Sequence, residues 1–509
     1  MTSRRAASRP RRRNTHIVQP DWPQPVNPYP PVALASDDEV EAIFRTALQI
    51  LQEIGIEIWD PDSLSRLKAA GADVDMQNQR VRFDSAFIEE KLALAPGAFT
   101  LWTRNPERDL RMGDNRLLFT PVGGPAFCTD LDRGRRRGSY GEMCEFLSLV
   151  QSLNIMHFGG SPGGPFEPMD LPVASRYLDV NYALLTVTDK CNPSAAFGRQ
   201  QTEDAIEMTR IAMGIDHATM SERPSVMCII NTNSPLRLDR PMAEGLVALV
   251  EAGQPPVITP PAAAGAMAPV TLAGAMAQQS AEVMACVALC QTVKPGAPLV
   301  VSSGANPVDM RTGGASNGMP GAMQARLIGA QLGRRYGVPL RGFASAVSKL
   351  VDAQAGYETA SGLWGSIMSG ANLIYHAGGW IEQGLTASYE KLIMDAEILQ
   401  MVAGSLQRLE ISDETLGLEA VREVGPGGHY FGARHTLRHY LDSPYVPLVS
   451  DWGNHDAWQS AGSLSTAERA NWVWKRLLAD YEKPALDPAI DEELKAYMAG
   501  RKQQLSVAA

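Results

Sequence analysis

Seven short apolar runs recur through the middle of this chain at intervals of roughly 30 to 40 residues, each followed by a stretch of helical periodicity. They fall at 154–160 (NIMHFGG), 192–198 (NPSAAFG), 225–231 (SVMCIIN), 256–260 (PVITP), 298–303 (PLVVSS), 339–345 (PLRGFAS) and 371–376 (ANLIYH). Spacing this long leaves room for a crossover helix between strands, so the pattern predicts repeated βα units and a parallel sheet. With an eighth strand near 424–431, or an irregular one, the α/β units close into a (β/α)8 barrel. An open doubly wound sheet is the rival. No GxGxxG follows a strand and opens a helix, which counts against its dinucleotide-binding version.

The flanks are organised differently. Residues 1–35 form a basic and proline-rich arm with six arginines in the first thirteen positions and no apolar stretch behind them, and are expected to be disordered. Residues 36–150 are assigned to an N-terminal α/β region. It begins with a helix from Asp37 or Asp38, and its β-rich part runs from Phe99 to Asp132. The barrel is assigned to 151–490, and a C-terminal helix and tail to 491–509. In the helix after Asp352, Ala353, Gly356, Ala360, Leu363 and Ile367 are expected to form the stripe packed on the strands.

Net charge is −10 despite the basic arm, so the body is acidic and nucleic acid is not an expected partner. The longest uncharged run, between Glu251 and Glu282, holds several prolines and glycines and cannot be one spanning helix. The six cysteines include no CxxC pair, which fits reduced thiols in a cytoplasmic protein. His435 and His439 have the i, i+4 spacing of a zinc helix, but Thr436 stands where HExxH needs glutamate, so no metal is expected.

Strand ends carry the chemistry of such folds, and here they are aromatic and weakly charged. Without paired carboxylates or His/Asp clusters, glycosidase and metal-hydrolase chemistry are unsupported. Aromatic faces beside small polar groups suit a bulky cation such as a quaternary ammonium. By position, Phe158, Trp380 and Tyr389 are candidates for a cage, and Phe127 could close the mouth. His376 and Glu382 would orient the substrate as the catalytic pair. Ser302, Ser303 and Ser345 could line the floor or bind a substrate carboxylate.

Several strings are more distinctive than any pattern. DAQAGYE (Asp352–Glu358), GANLIY (Gly370–Tyr375), GLTASYEKLIMD (Gly384–Asp395), AGAMAPVTLAGAMAQ (Ala264–Gln278) and DETLGLEAVREVGPGGHYFG (Asp413–Gly432) resemble the trimethylamine methyltransferase family of corrinoid-dependent methyltransferases. The resemblance runs from about Leu51 to Pro488. It implies a (β/α)8 barrel that moves a methyl group from a methylamine to a corrinoid. That corrinoid sits on a separate small protein, because the chain lacks the Asp-x-His-x-x-Gly motif of corrinoid-binding modules. Archaeal trimethylamine enzymes carry pyrrolysine at the position matched here by Ser345, whereas members lacking it resemble glycine betaine methyltransferases. A quaternary amine is therefore the expected donor. Trimethylamine transfer and a non-catalytic quaternary-amine binding protein are the alternatives, and a homo-oligomer is a reasonable expectation.

Overall fold

The expected runs build one parallel sheet, and its register nearly closes on itself. The structure, a computed structural model, describes residues 17–508 except 22–23, 162, 195–196, 303, 315–317, 319 and 442–444. The sheet's strands are β1 (Leu118–Pro121), β2 (Asn192–Pro193), β3 (Val226–Ile230), β4 (Pro256–Ile258), β5 (Val300–Ser302), β6 (Leu340–Phe343) and β7 (Leu373–Gly378). From β2 to β7 each strand pairs in parallel with the next, and β7 pairs with β1. The gap between β1 and β2 is spanned by residues 157–159. His157 N–H donates to Phe119 O at 3.1 Å, Phe158 bridges Cys191, and Gly159 N–H donates to Cys191 O at 3.1 Å. His157 Nδ1 also accepts from Phe119 N–H at 3.0 Å, so a side chain stands in for a ladder carbonyl.

Eight positions around the ring are thus filled, and each leads into a helix: α1 (Tyr140–Ser152), α2 (Arg176–Val187), α3 (Gly198–Met213), α4 (Arg240–Glu251), α5 (Leu272–Val293), α6 (Pro320–Arg335), α7 (Ala353–Met368) and α8 (Tyr389–Ser405). The expected (β/α)8 architecture is present, with the eighth strand elsewhere than expected. It is β1, inside the stretch assigned to the N-terminal region. Residues 424–431 instead pass from a short helix, Leu418–Val424, into exposed turns. On α7 the buried set is Ala355, Glu358, Thr359, Gly362, Leu363, Gly365, Ser366 and Ile367, so the packed face is rotated from the expected stripe. Gly342 explains the small residues there, because a Cβ on it would lie 2.6 Å from Ser366 Oγ.

What precedes β1 covers the barrel in two places. A helix at Asp37–Gln49, started by a Ser36–Glu39 capping box, and a second at Ser85–Leu94 pack on α5. Covered on both sides, α5 is buried without a break from Ala275 to Gln291, which is why it reads as apolar all round. The hairpin Phe99–Leu101/Leu110–Met112 lies across the N-terminal ends of the strands. Trp102 N–H bonds Pro224 O just before β3, and Arg104 bonds Thr188 O before β2. Its Leu101, Leu110 and Met112 pack into the lumen with Leu118, Met227 and Val300 and stop the barrel floor.

Past α8, a helix at Thr466–Ala479 packs on α8 and α1, and the last helix, Pro488–Ala508, packs on α2 and α3. Between α8 and the first of these two helices, Leu409, Ile411, Phe431 and Leu441 are left exposed. Among the described residues no helix is long and apolar enough to cross a membrane.

Candidate active site

Strand alternation decides which side chains meet in the lumen. Gly342 faces α7, so its neighbours Arg341 and Phe343 on β6 face inward. Ile374 packs outward with Leu363 and Ile367, so Leu373 and Tyr375 on β7 face inward. Phe158, Met227, Val257, Val300, Leu373 and Tyr375 are wholly buried, whereas Ile229, Arg341 and Phe343 keep part of their surface open. A sealed floor with an accessible chamber above it, at the C-terminal ends of the strands, is the arrangement in which this fold places its chemistry.

The chamber contains an unusual cation. Arg341 lies with its guanidinium 4.6 Å over the Tyr375 ring, and its Nη1 is 3.5 Å from Ser302 Oγ. Its Nε has no acceptor, and neither has Tyr375 Oη. Burial pulls the Arg341 pKa down to about 10, still far enough above neutrality to keep the charge. A second arginine, Arg326 from α6, is buried 4.3 Å over Phe343.

His376 departs from the alternation. β7 bulges between Ile374 and Gly378, and His376 takes a left-handed backbone, φ 55°. Bulges of this kind re-aim a side chain. The imidazole ends 3.9 Å from the Trp380 ring, with Nδ1 buried and unbonded. Burial first, and the Arg341 charge second, hold its pKa well below the usual histidine range, so the ring is neutral. Trp380 belongs to a small hairpin, Trp380–Ile381 with Thr386–Ser388, which also pairs with Phe127–Thr129. Gly384 is obligatory there, since a Cβ on it would come within 2.2 Å of the indole. The hairpin is tied to the barrel by Gly379 N–H, which donates to Asp395 Oδ2 at 2.9 Å. Asp395 pairs in turn with Lys391, whose ammonium also reaches Thr359 Oγ1 at 2.7 Å, all of it buried.

The candidates chosen from strand ends divide. His376, Trp380 and Ser302 come together with Arg341, and Ser345 is buried just beyond β6. Ser303 lies outside the described residues. Phe158 sits in the floor, below the accessible surface. Glu382 is already neutralised. Arg135 grips it through Nε at 2.8 Å and Nη2 at 3.1 Å, and Thr386 Oγ1 adds a bond at 2.5 Å. Partial burial works to raise its pKa, but these partners outweigh that and hold it low. The same guanidinium covers Phe127 at 3.6 Å, so one face of that ring is taken. Tyr389 is a core residue, with its ring between Phe146 and Trp474 and its hydroxyl on Glu142 O at 3.0 Å. Phe127, Phe158, Trp380 and Tyr389 therefore form no open aromatic box. Sequence reasoning missed Arg341 and Phe343, although an arginine inside the apolar run PLRGFAS was a visible signal.

The profile described as trimethylamine methyltransferase (MTTB) matches residues 2–506. The chain belongs to the trimethylamine methyltransferase family. A glycine betaine methyltransferase of Desulfitobacterium hafniense (strain Y51) is 35% identical over 477 residues, covering 94% of this chain and 98% of that one. The trimethylamine methyltransferase MttB of D. hafniense (strain DSM 10664 / DCB-2) is 26% identical over 475 residues, covering 93% and 95%. Among solved structures, the Methanosarcina barkeri monomethylamine methyltransferase MtmB superposes with a TM-score of 0.50 at 10% identity, covering 89% of this chain and 90% of that one. At that identity the likeness speaks for the fold alone, and it agrees with the barrel.

Proposed function

We propose that the chain moves a methyl group from a quaternary ammonium compound, glycine betaine or a similar one, to the Co(I) of a corrinoid carried by a separate small protein. The observation that carries this is the absence of a usable acid among the described groups of the chamber. His376 is held neutral, and Glu382 is committed to Arg135. A quaternary donor requires none. Its C–N bond breaks with the electron pair left on nitrogen, and a neutral tertiary amine departs. Trimethylamine is a poorer leaving-group precursor and would need an activating group. Ser345, at the position where the family's archaeal trimethylamine enzymes carry pyrrolysine, supplies no electrophile.

The corrinoid supplies the nucleophile that accepts the methyl group. The chain's own residues bind and orient the amine and keep water from it. Phe343 and the His376–Trp380 pair, which keep part of their surface open, offer the apolar and π surfaces against which an onium group can settle, each worth about 0.5–2 kcal/mol. The higher identity to the glycine betaine enzyme, 35% against 26% for the trimethylamine enzyme at similar coverage, supports this choice over trimethylamine.

The test mixes the protein with Co(I) cobalamin and, in turn, glycine betaine and trimethylamine, and follows methylcobalamin by its absorbance. Formation from glycine betaine and not from trimethylamine is expected. Tight betaine binding with no transfer to free cobalamin or to a co-encoded corrinoid protein would refute the transfer and leave a binding protein.

A further inference from the structure

We infer that Arg341 reads a carboxylate on the substrate, so that the donor must be an onium carboxylate and not merely a quaternary amine. This rests on the chamber being the amine site proposed above. Several other enclosed charges have an opposite partner. Lys391 has Asp395, Asp204 has Arg501 at 2.8 Å, and Asp130 has Arg133 and Arg136, each at 2.7 Å. On Arg341, among the described residues, no carboxylate lies, and its Nε has no acceptor. What it has is the face of Tyr375 and the distant Ser302 hydroxyl. An enclosed cation without an anion is unfavourable, and proteins keep such groups where a ligand supplies the missing charge. The fork of a guanidinium matches a carboxylate in particular, through two parallel N–H bonds.

Position fits the chemistry as well as charge does. Arg341 precedes Phe343 on β6 and so lies deeper in the lumen, nearer the floor. A zwitterion bound by its carboxylate at Arg341 directs its ammonium end upward, past Phe343 and the His376–Trp380 pair, toward the open end of the barrel. The methyl groups are then presented where a docked acceptor could reach them. A quaternary amine without the carboxylate would meet an uncompensated guanidinium, so the same residue that selects a betaine repels choline and tetramethylammonium. Selection of this kind is strong because the unpaired partner is left buried when the wrong ligand binds.

The experiment measures equilibrium binding by calorimetry, without any corrinoid, for glycine betaine and tetramethylammonium on the wild-type protein, Arg341→Gln and Arg341→Lys. Methyl transfer to Co(I) cobalamin is followed in parallel. Wild type should prefer glycine betaine by about 100-fold, and Arg341→Gln should abolish that preference while binding tetramethylammonium as well as wild type or better. Arg341→Lys keeps the charge without the fork and should lose about 10-fold for betaine. A folded Arg341→Gln that binds glycine betaine within about 3-fold of wild type overturns the assignment. If that variant does not fold, an Arg341→Lys protein with unchanged betaine affinity overturns it equally. Failure of the two proposals is distinguishable. Wild-type protein that binds betaine through Arg341 but transfers nothing refutes the transfer alone, and transfer that ignores Arg341 refutes this assignment alone.

Discussion

Replacing His376 by glycine should separate what the residue does for the fold from what it does for the substrate. Four terms can be set against one another. Relief of a left-handed backbone at φ 55° favours the variant by about 1–2 kcal/mol. Removing the buried, unbonded Nδ1 favours it by about 1 kcal/mol. Loss of the 3.9 Å contact with Trp380 costs about 0.5–1.5 kcal/mol. The added freedom of glycine in the unfolded chain costs about 0.5–1 kcal/mol. The net lies between a loss of about 0.5 and a gain of about 2 kcal/mol, which is unusual for deleting a large side chain with a buried, unbonded nitrogen. Methyl transfer from glycine betaine, in contrast, should fall about 100-fold, as a group that orients the donor is gone. Urea unfolding and the methylcobalamin assay on one preparation give both numbers. A loss of more than about 2 kcal/mol in stability with transfer retained would mean that the histidine is held for packing, and the reasoning fails.

Asp395→Asn should cost about 3–5 kcal/mol in urea unfolding, since it strands the Lys391 ammonium in the core, and Lys391→Met/Asp395→Asn should recover more than half of it because the amide still accepts from Gly379. On pH, the folded state lowers the His376 pKa below its ordinary 6.5, so the unfolded chain takes up that proton first. This part of the stability is intact above pH 6.5 and falls by up to about 1.4 kcal/mol per unit below it, a slope that His376→Gly should remove. Glu382, whose pKa is also lowered on folding, has the same sign in its own range. Its contribution is full above pH 4.5 and is lost as pH drops through its lowered value. Neither titrates between about pH 7 and 9, so kcat/KM for glycine betaine should be flat there, and a bell-shaped profile would refute a transfer that needs no acid.

The barrel was legible because its strands are apolar runs enclosed on both faces and separated by helices, a rhythm that few other folds share. Its first strand was not. Leu118–Pro121 follows a hairpin with the same β character, and nothing in four residues tells a plug from a stave. The site was half legible for a related reason. Strand-end position identified His376, Trp380 and Ser302, but it cannot say whether a ring faces the lumen or a helix layer, and Tyr389 went to the core. Arg341 escaped because attention rested on the ends of strands, while its message lay one residue inside, as a charge where the alternation demanded an apolar group. The bulge that turns His376 inward leaves no pattern in the residues themselves.

The hairpin under the barrel also sets the order of events. With its floor stopped by Leu101, Leu110 and Met112, the chamber is filled and emptied from the strand-end side. On the proposed transfer, a macromolecular acceptor seated over that opening would be at once reactant and stopper. The amine would then have to be inside when the acceptor arrives, and the demethylated product would wait for it to depart. Steady-state rates should then follow a compulsory sequence, with excess acceptor slowing turnover by capping empty chambers.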